Sequence, residues 1–210
     1  MEVKFYQYIL LAAFVAAIWL GRENKVVFLL PFLGLAVFFE LILGKLMKYY
    51  FDNNMITTNI FVIICVMYYL FLFTRKNRKR LFLVFVALYL LFLVVSMYIQ
   101  GFNSIMSIAY NAGMIMVILA IFRYLYDLII MDQYKPLHQI PLFWMAIGIL
   151  MFYSTSFPIL NFLNRFIDAD YEFALRMIDM LSIGNIFLSL GYFGAIICQK
   201  NIKTSSASLP

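Results

Sequence analysis

Two carboxylates stand inside apolar stretches, where an ionised acid is costly and needs a partner. Glu40 lies within Val37-Phe38-Phe39-Glu40-Leu41-Ile42-Leu43. Asp179 heads a run that stays uncharged to Cys198. A carboxylate in such a place can bind a proton, a cation or a hydrogen-bond donor. For Glu40 two readings stay open: a proton-sensitive or ligand-binding acid facing other helices, or an acid near the end of a span, satisfied by water or Lys45. Asp179 begins a series with Ser182, Asn185, Ser189 and Tyr192 at spacings of three and four, which places them on one helical face. Beside it, Gly184, Gly191 and Cys198 recur every seven residues. The polar face can line a pocket or path; equally, small and hydroxyl-bearing residues let two helices approach and bond. Asn59 and Asn111 carry amides that need partners in lipid, and with Tyr110, Ser154 and Ser156 they could complete a polar cluster.

Other chemistries lack their residues. One histidine, His138, cannot make a paired-histidine metal site. Cys65 and Cys198 fall in different apolar runs with no motif between them, and no disulfide is expected. The sequence contains no phosphate-binding glycine loop, nucleophile elbow or metalloprotease motif. A retinal-binding protein of rhodopsin type would need a lysine in the last span, and 173–198 has none. No cofactor and no catalytic residue are expected.

The elements that must position these residues follow from composition. Of 210 residues 66% are apolar and 12% charged, with mean hydropathy +0.95. So little charge cannot cover a water-soluble surface, which excludes a soluble enzyme, a disordered chain and a fibrous repeat, and two cysteines are too few for a disulfide scaffold. Seven apolar runs approach the roughly 20 residues a spanning helix needs. They cover 5–20, 26–43, 55–73, 81–99, 105–130, 140–160 and 173–198. The runs are continuous rather than alternating, so the expected fold is an all-α, polytopic transmembrane bundle of seven helices, not a barrel. Residues 1–198 read as a single domain and 199–210 as a short, polar, disordered tail. Gly101-Phe102-Asn103-Ser104 breaks the fourth and fifth runs and offers Asn103 or Ser104 as an N-cap. Pro141 suits a first helical turn, and Pro158 should kink or end the sixth span.

Basic residues orient the bundle. With seven spans, eleven Lys and Arg fall on the side of the first, third and fifth loops and the C-terminus, and five on the other. Asp168, Asp170 and Glu172 cluster on that other side. The N-terminus is therefore expected outside and the C-terminus in the cytoplasm. The strongest signal is the basic loop with Arg75, Lys76, Arg78, Lys79 and Arg80. The net charge of +6 is explained by topology and implies no nucleic acid; anionic lipid at this loop is a compatible role.

Several stretches carry a resemblance: Pro31-Phe32-Leu33 through Glu40, Asn59-Ile60-Phe61, Phe102-Asn103-Ser104, Pro141-Leu142-Phe143-Trp144 through Phe152-Tyr153-Ser154, and Ser182-Ile183-Gly184-Asn185-Ile186. In this order the chain resembles an uncharacterised family of seven-helix integral membrane proteins from Bacteroidota. That family is similar to the membrane sensory region of histidine kinases. The resemblance implies membrane sensing or signalling, with a histidine kinase or other signalling protein as partner, in a bacterial inner membrane. The expected function is thus a non-catalytic, receptor-like or signalling subunit embedded in the lipid bilayer. The alternatives are a small transporter or channel with Glu40 and Asp179 in its path, a membrane-damaging effector, and, last, a lipid-directed enzyme.

Overall fold

The computed structural model describes residues 5–21, 29–43, 46, 49–50, 55–74, 79–130, 136–169 and 171–206, and these contain helices and turns with no strand. There are seven helices among the described residues: α1 (Phe5–Gly21), α2 (Leu29–Val37), α3 (Met55–Thr74), α4 (Lys79–Gln100), α5 (Ser107–Ile130), α6 (Pro141–Ala169) and α7 (Tyr171–Ser206). Five are long and apolar enough to cross a membrane: α3, α4, α5, α6 over Pro141–Ile159 and α7 over Asp179–Cys198. They mark an integral membrane protein, because their apolar surface has no other solvent. The first two expected spans appear as shorter apolar helices, Phe5–Trp19 and Leu29–Leu43.

The helix limits follow local chemistry and correct three expectations. Pro141 opens α6, where its missing N–H is no loss. Pro158 does not end that helix, which continues to Ala169. Hydroxyls before the proline bond back to carbonyls of their own helix: Ser154 to Leu150, Thr155 to Met151 and Phe152, and Ser156 to Phe152. Ser104 is not the N-cap of α5. Its hydroxyl donates backwards to the carbonyls of Gln100 and Gly101, closing α4, and α5 starts only at Ser107. Gly101 makes the reversal with φ +74°, a conformation that costs a side chain energy and glycine none. Lastly, α7 runs past Cys198 to Ser206, into the stretch expected to be a disordered tail.

The chain divides into two compact units. Residues 1–38 and 133–210 form one, and residues 39–132 the other. In the first, α7 packs along α6 and against α1, and α1 also packs on α2. Its core includes Ala13, Ala17, Leu29, Leu33, Ala146, Ile149 and Ile196, with Phe32 edge-on to Tyr192 at 5.9 Å. In the second unit, α3, α4 and α5 pack pairwise. The core here is Val66, Tyr69, Leu70, Tyr89, Met114, Val117, Ala120 and Ile121. Only Tyr89 and Ser96 of α4 are buried, and much of the rest of that helix is exposed apolar surface within its unit, Leu83, Leu91, Val94 and Ile99 among it.

Candidate functional site

The polar side chains of the second unit fall in three layers along its helices. At one end the Asn59 amide faces the turn between α4 and α5. Its Nδ2 donates to the carbonyls of Phe102 at 3.0 Å and Ser104 at 2.8 Å. Its Oδ1 accepts from the Met106 N–H at 3.4 Å. Gln100 performs a similar task from α4. Its Oε1 accepts from Ser96 Oγ at 2.7 Å and from the Ile108 N–H at 3.2 Å, and its Nε2 donates to Ser107 Oγ at 2.7 Å. Two amides thus satisfy the loose backbone groups of a helix end and a helix start, which in lipid have no water to turn to. Asn59, 7% exposed, is a clamp on a turn.

The middle layer is tighter. A Cβ on Gly113 of α5 would come 2.8 Å from Val66 Cγ2 of α3 and 2.9 Å from Tyr89 Cε2 of α4, so three helices meet at a glycine. Tyr89 is 0% exposed, and its hydroxyl has no hydrogen-bond partner among the described residues. An unpaired buried hydroxyl costs about 1–3 kcal/mol. The Cys65 thiol lies within electrostatic reach of Tyr89, and Glu40 within reach of Cys65. Glu40 itself sits in a π-helical stretch, Phe38–Leu43, that continues α2 into this unit. Wide turns of this kind often occur at functional positions. Phe39 stacks on Phe61 at 5.3 Å and sets this stretch against α3. Asn111 is half-buried on α5.

At the opposite end, Arg123 of α5 pairs with Asp127 at 3.0 Å and lies over the Tyr126 ring at 4.9 Å. Its Nε is covered and has no hydrogen-bond partner among the described residues. Lys79 and Arg80 are exposed on the first turn of α4. Arg75, Lys76 and Arg78 lie outside the described residues.

In the first unit the face predicted on the last span exists, but its members differ in setting. Ser189 and Tyr192 are buried, Ser182 and Asn185 half-buried, and Asp179 exposed. The glycines beside it make a seam with α6. A Cβ on Gly191 would lie 2.8 Å from Gly148 Cα and 2.9 Å from the Trp144 carbonyl; a Cβ on Gly184 would strike Thr155 and Phe152. Gly194 faces the Trp144 ring at 3.2 Å. The pairs Gly184–Thr155, Gly191–Gly148 and Gly194–Trp144 run in opposite chain directions, as an antiparallel hairpin requires. At its end the His138 carbonyl accepts from Trp144 Nε1 at 2.8 Å and from Cys198 Sγ at 3.3 Å. The spacing of seven through Gly184, Gly191 and Cys198 therefore reports packing.

Glu40, Asn59 and Asn111 belong to the second unit and Asp179 to the first. Sequence reasoning passed over Tyr89, although Tyr89 and Ser96 stand seven apart in an otherwise apolar helix and so share a face. It also grouped Arg123 with loop charges, whereas Arg123 and Asp127 lie one turn apart inside α5. No known protein family, curated protein or solved structure matches the chain.

Proposed function

We propose that the protein is a non-catalytic, receptor-like or signalling subunit of a bacterial inner membrane. It crosses the membrane seven times, with the N-terminus outside and the C-terminus in the cytoplasm. A ligand or membrane state biases two packings of the helices, and a cytoplasmic or membrane partner, such as a histidine kinase, reads the result. The observation that carries this reading is the α6–α7 hairpin. It is held at a glycine seam, and one helix of it, α6, contains Pro158 preceded by three hydroxyl residues that bond the carbonyls of Leu150, Met151 and Phe152. Proline removes the helical hydrogen bond to the Ser154 carbonyl and permits a bend, and hydroxyls that bond back to the carbonyls of the preceding turn favour bending as well. Such a hairpin can hold two shapes and end each at a different place on the membrane surface. The test is crosslinking in intact membranes followed by purification in mild detergent. Reproducible recovery of a signalling protein, weakened by Pro158→Ala, supports the reading; recovery of no partner removes its mechanism.

A second reading, a small transporter or channel, is favoured by the buried Tyr89 hydroxyl, which has no hydrogen-bond partner among the described residues, at the level where three helices of the second unit meet. Flux into proteoliposomes that Glu40→Gln abolishes would replace the first reading with this one.

A further inference from the structure

We infer that the end of the second unit bearing Arg123, Lys79 and Arg80 is a binding site for the phosphate group of an anionic phospholipid. The depth of these residues is fixed by the Gly113–Tyr89 contact, which sets the register of α5 against the antiparallel α4. Arg123 lies ten residues beyond Gly113 on α5, and Lys79 ten residues before Tyr89 on α4. At 1.5 Å per residue both stand about 15 Å from the shared layer, on the same side of it. Tyr89 is also at the centre of α4, a 22-residue helix. A hydrocarbon core about 30 Å thick, centred on that layer, then ends at Arg123 and Lys79. That boundary is where lipid phosphates lie.

Arg123 is built for this depth. Its guanidinium turns toward the end of its own helix, where Asp127 takes one nitrogen and the Tyr126 ring covers a face. The side chain is still 39% exposed, and Asp127 pairs with it through Nη2, so the exposed part of the guanidinium remains open to a second anion. One carboxylate therefore leaves the hydrogen bonding of the group incomplete, and a phosphate oxygen drawn against it supplies what is missing. Lys79 and Arg80 add two exposed cations at the same level. Exposed Leu119, on the core side of Arg123, and Phe122 beside it give the acyl chains an apolar wall. Loop charge that served topology alone would have no use for an arginine held inside a helix.

The test uses the full chain in mild detergent, with lipid binding followed by native mass spectrometry. The probes are phosphatidylglycerol, phosphatidylcholine and inorganic phosphate. Phosphatidylglycerol is expected to bind in preference to phosphatidylcholine, and Arg123→Gln to weaken it about tenfold, the scale of one charge-assisted hydrogen bond. The double variant Lys79→Gln/Arg80→Gln, at exposed positions that leave folding alone, is expected to weaken it as well and carries the test if Arg123→Gln does not fold. Arg176→Gln, an exposed cation of the first unit, should change nothing. Equal binding of the two lipids, equal loss in Arg176→Gln, or full binding in the other variants overturns the proposal. Displacement of phosphatidylglycerol by an equal concentration of inorganic phosphate would assign the site to a soluble anion and overturn it too.

Discussion

Replacing Gly191 by alanine tests the α6–α7 seam directly. The new methyl carbon would lie 2.8 Å from Gly148 Cα and 2.9 Å from the Trp144 carbonyl, both backbone atoms that no rotamer change can move. Ordinary carbon contacts are about 3.5–4.0 Å, so the helices must part by nearly 1 Å locally. A gap of that size forfeits a quarter to a half of the dispersion energy of each contact along the seam. Overpacking of this kind costs about 1–3 kcal/mol. Gly148→Ala meets the same obstacle from the other side, at 2.9 Å from Gly191 Cα. Once the helices have parted for one methyl, the second finds space already made, so the double variant should fall short of the sum by about 1 kcal/mol. Gly34→Ala is the control, because its Cβ meets only the Phe14 ring edge, at 3.2 Å. The assay is thermal or denaturant unfolding in a fixed detergent, read by tryptophan fluorescence from Trp144 beside the seam. If Gly191→Ala unfolds with the wild type, or the two costs simply add, the close backbone approach does not exist.

Three further outcomes are expected. Asn59→Ala strands the Phe102 and Ser104 carbonyls and the Met106 N–H, costs about 1–3 kcal/mol for each group that finds no water, and speeds amide exchange at Met106; unchanged exchange there would show that the clamp is not formed. Tyr89→Phe removes a hydroxyl without a partner and should leave stability unchanged or raise it by about 1 kcal/mol, so a marked loss in a melting curve would reveal a partner for that hydroxyl. Gly101→Ala forces a side chain to φ +74°, and should cost about 1 kcal/mol in the same unfolding assay, while Gly101→Asn, which tolerates that region better, should cost less.

The helical class was legible because apolar composition leaves lipid as the only solvent, and lipid admits few folds. Helix positions were legible where runs are bounded by charge or proline, as at Pro141. They were misjudged where a distant residue decides. Ser104 has the chemistry of an N-cap, but Asn59 and Gln100 already hold the start of α5, so its hydroxyl turns back to α4. Pro158 was expected to kink or end the sixth span, and it does not end the helix, which continues to Ala169 because a proline costs one hydrogen bond while the turns on either side keep theirs. The polar face from Asp179 to Tyr192 was legible as a face, yet what it meets depends on glycines of another helix, such as Gly148. Tyr89 was hidden because tyrosine is so common here, 15 in all, that a buried one looks like any interfacial anchor.

The first unit joins the two ends of the chain around an insertion, residues 39–132. This arrangement imposes an order on synthesis. At about 5–20 residues per second, α1 and α2 leave the ribosome roughly 5–20 seconds before α6 begins. During that interval their inward surfaces, among them Ala13, Ala17 and Leu33, have neither α6 nor α7 to rest against. The contiguous second unit has all its helices at hand as soon as α5 is made and can close on its own. The first pair of helices must be kept from wrong neighbours until the last has entered the membrane, so a ribosome that stops before α7 leaves one finished unit and one that cannot be completed.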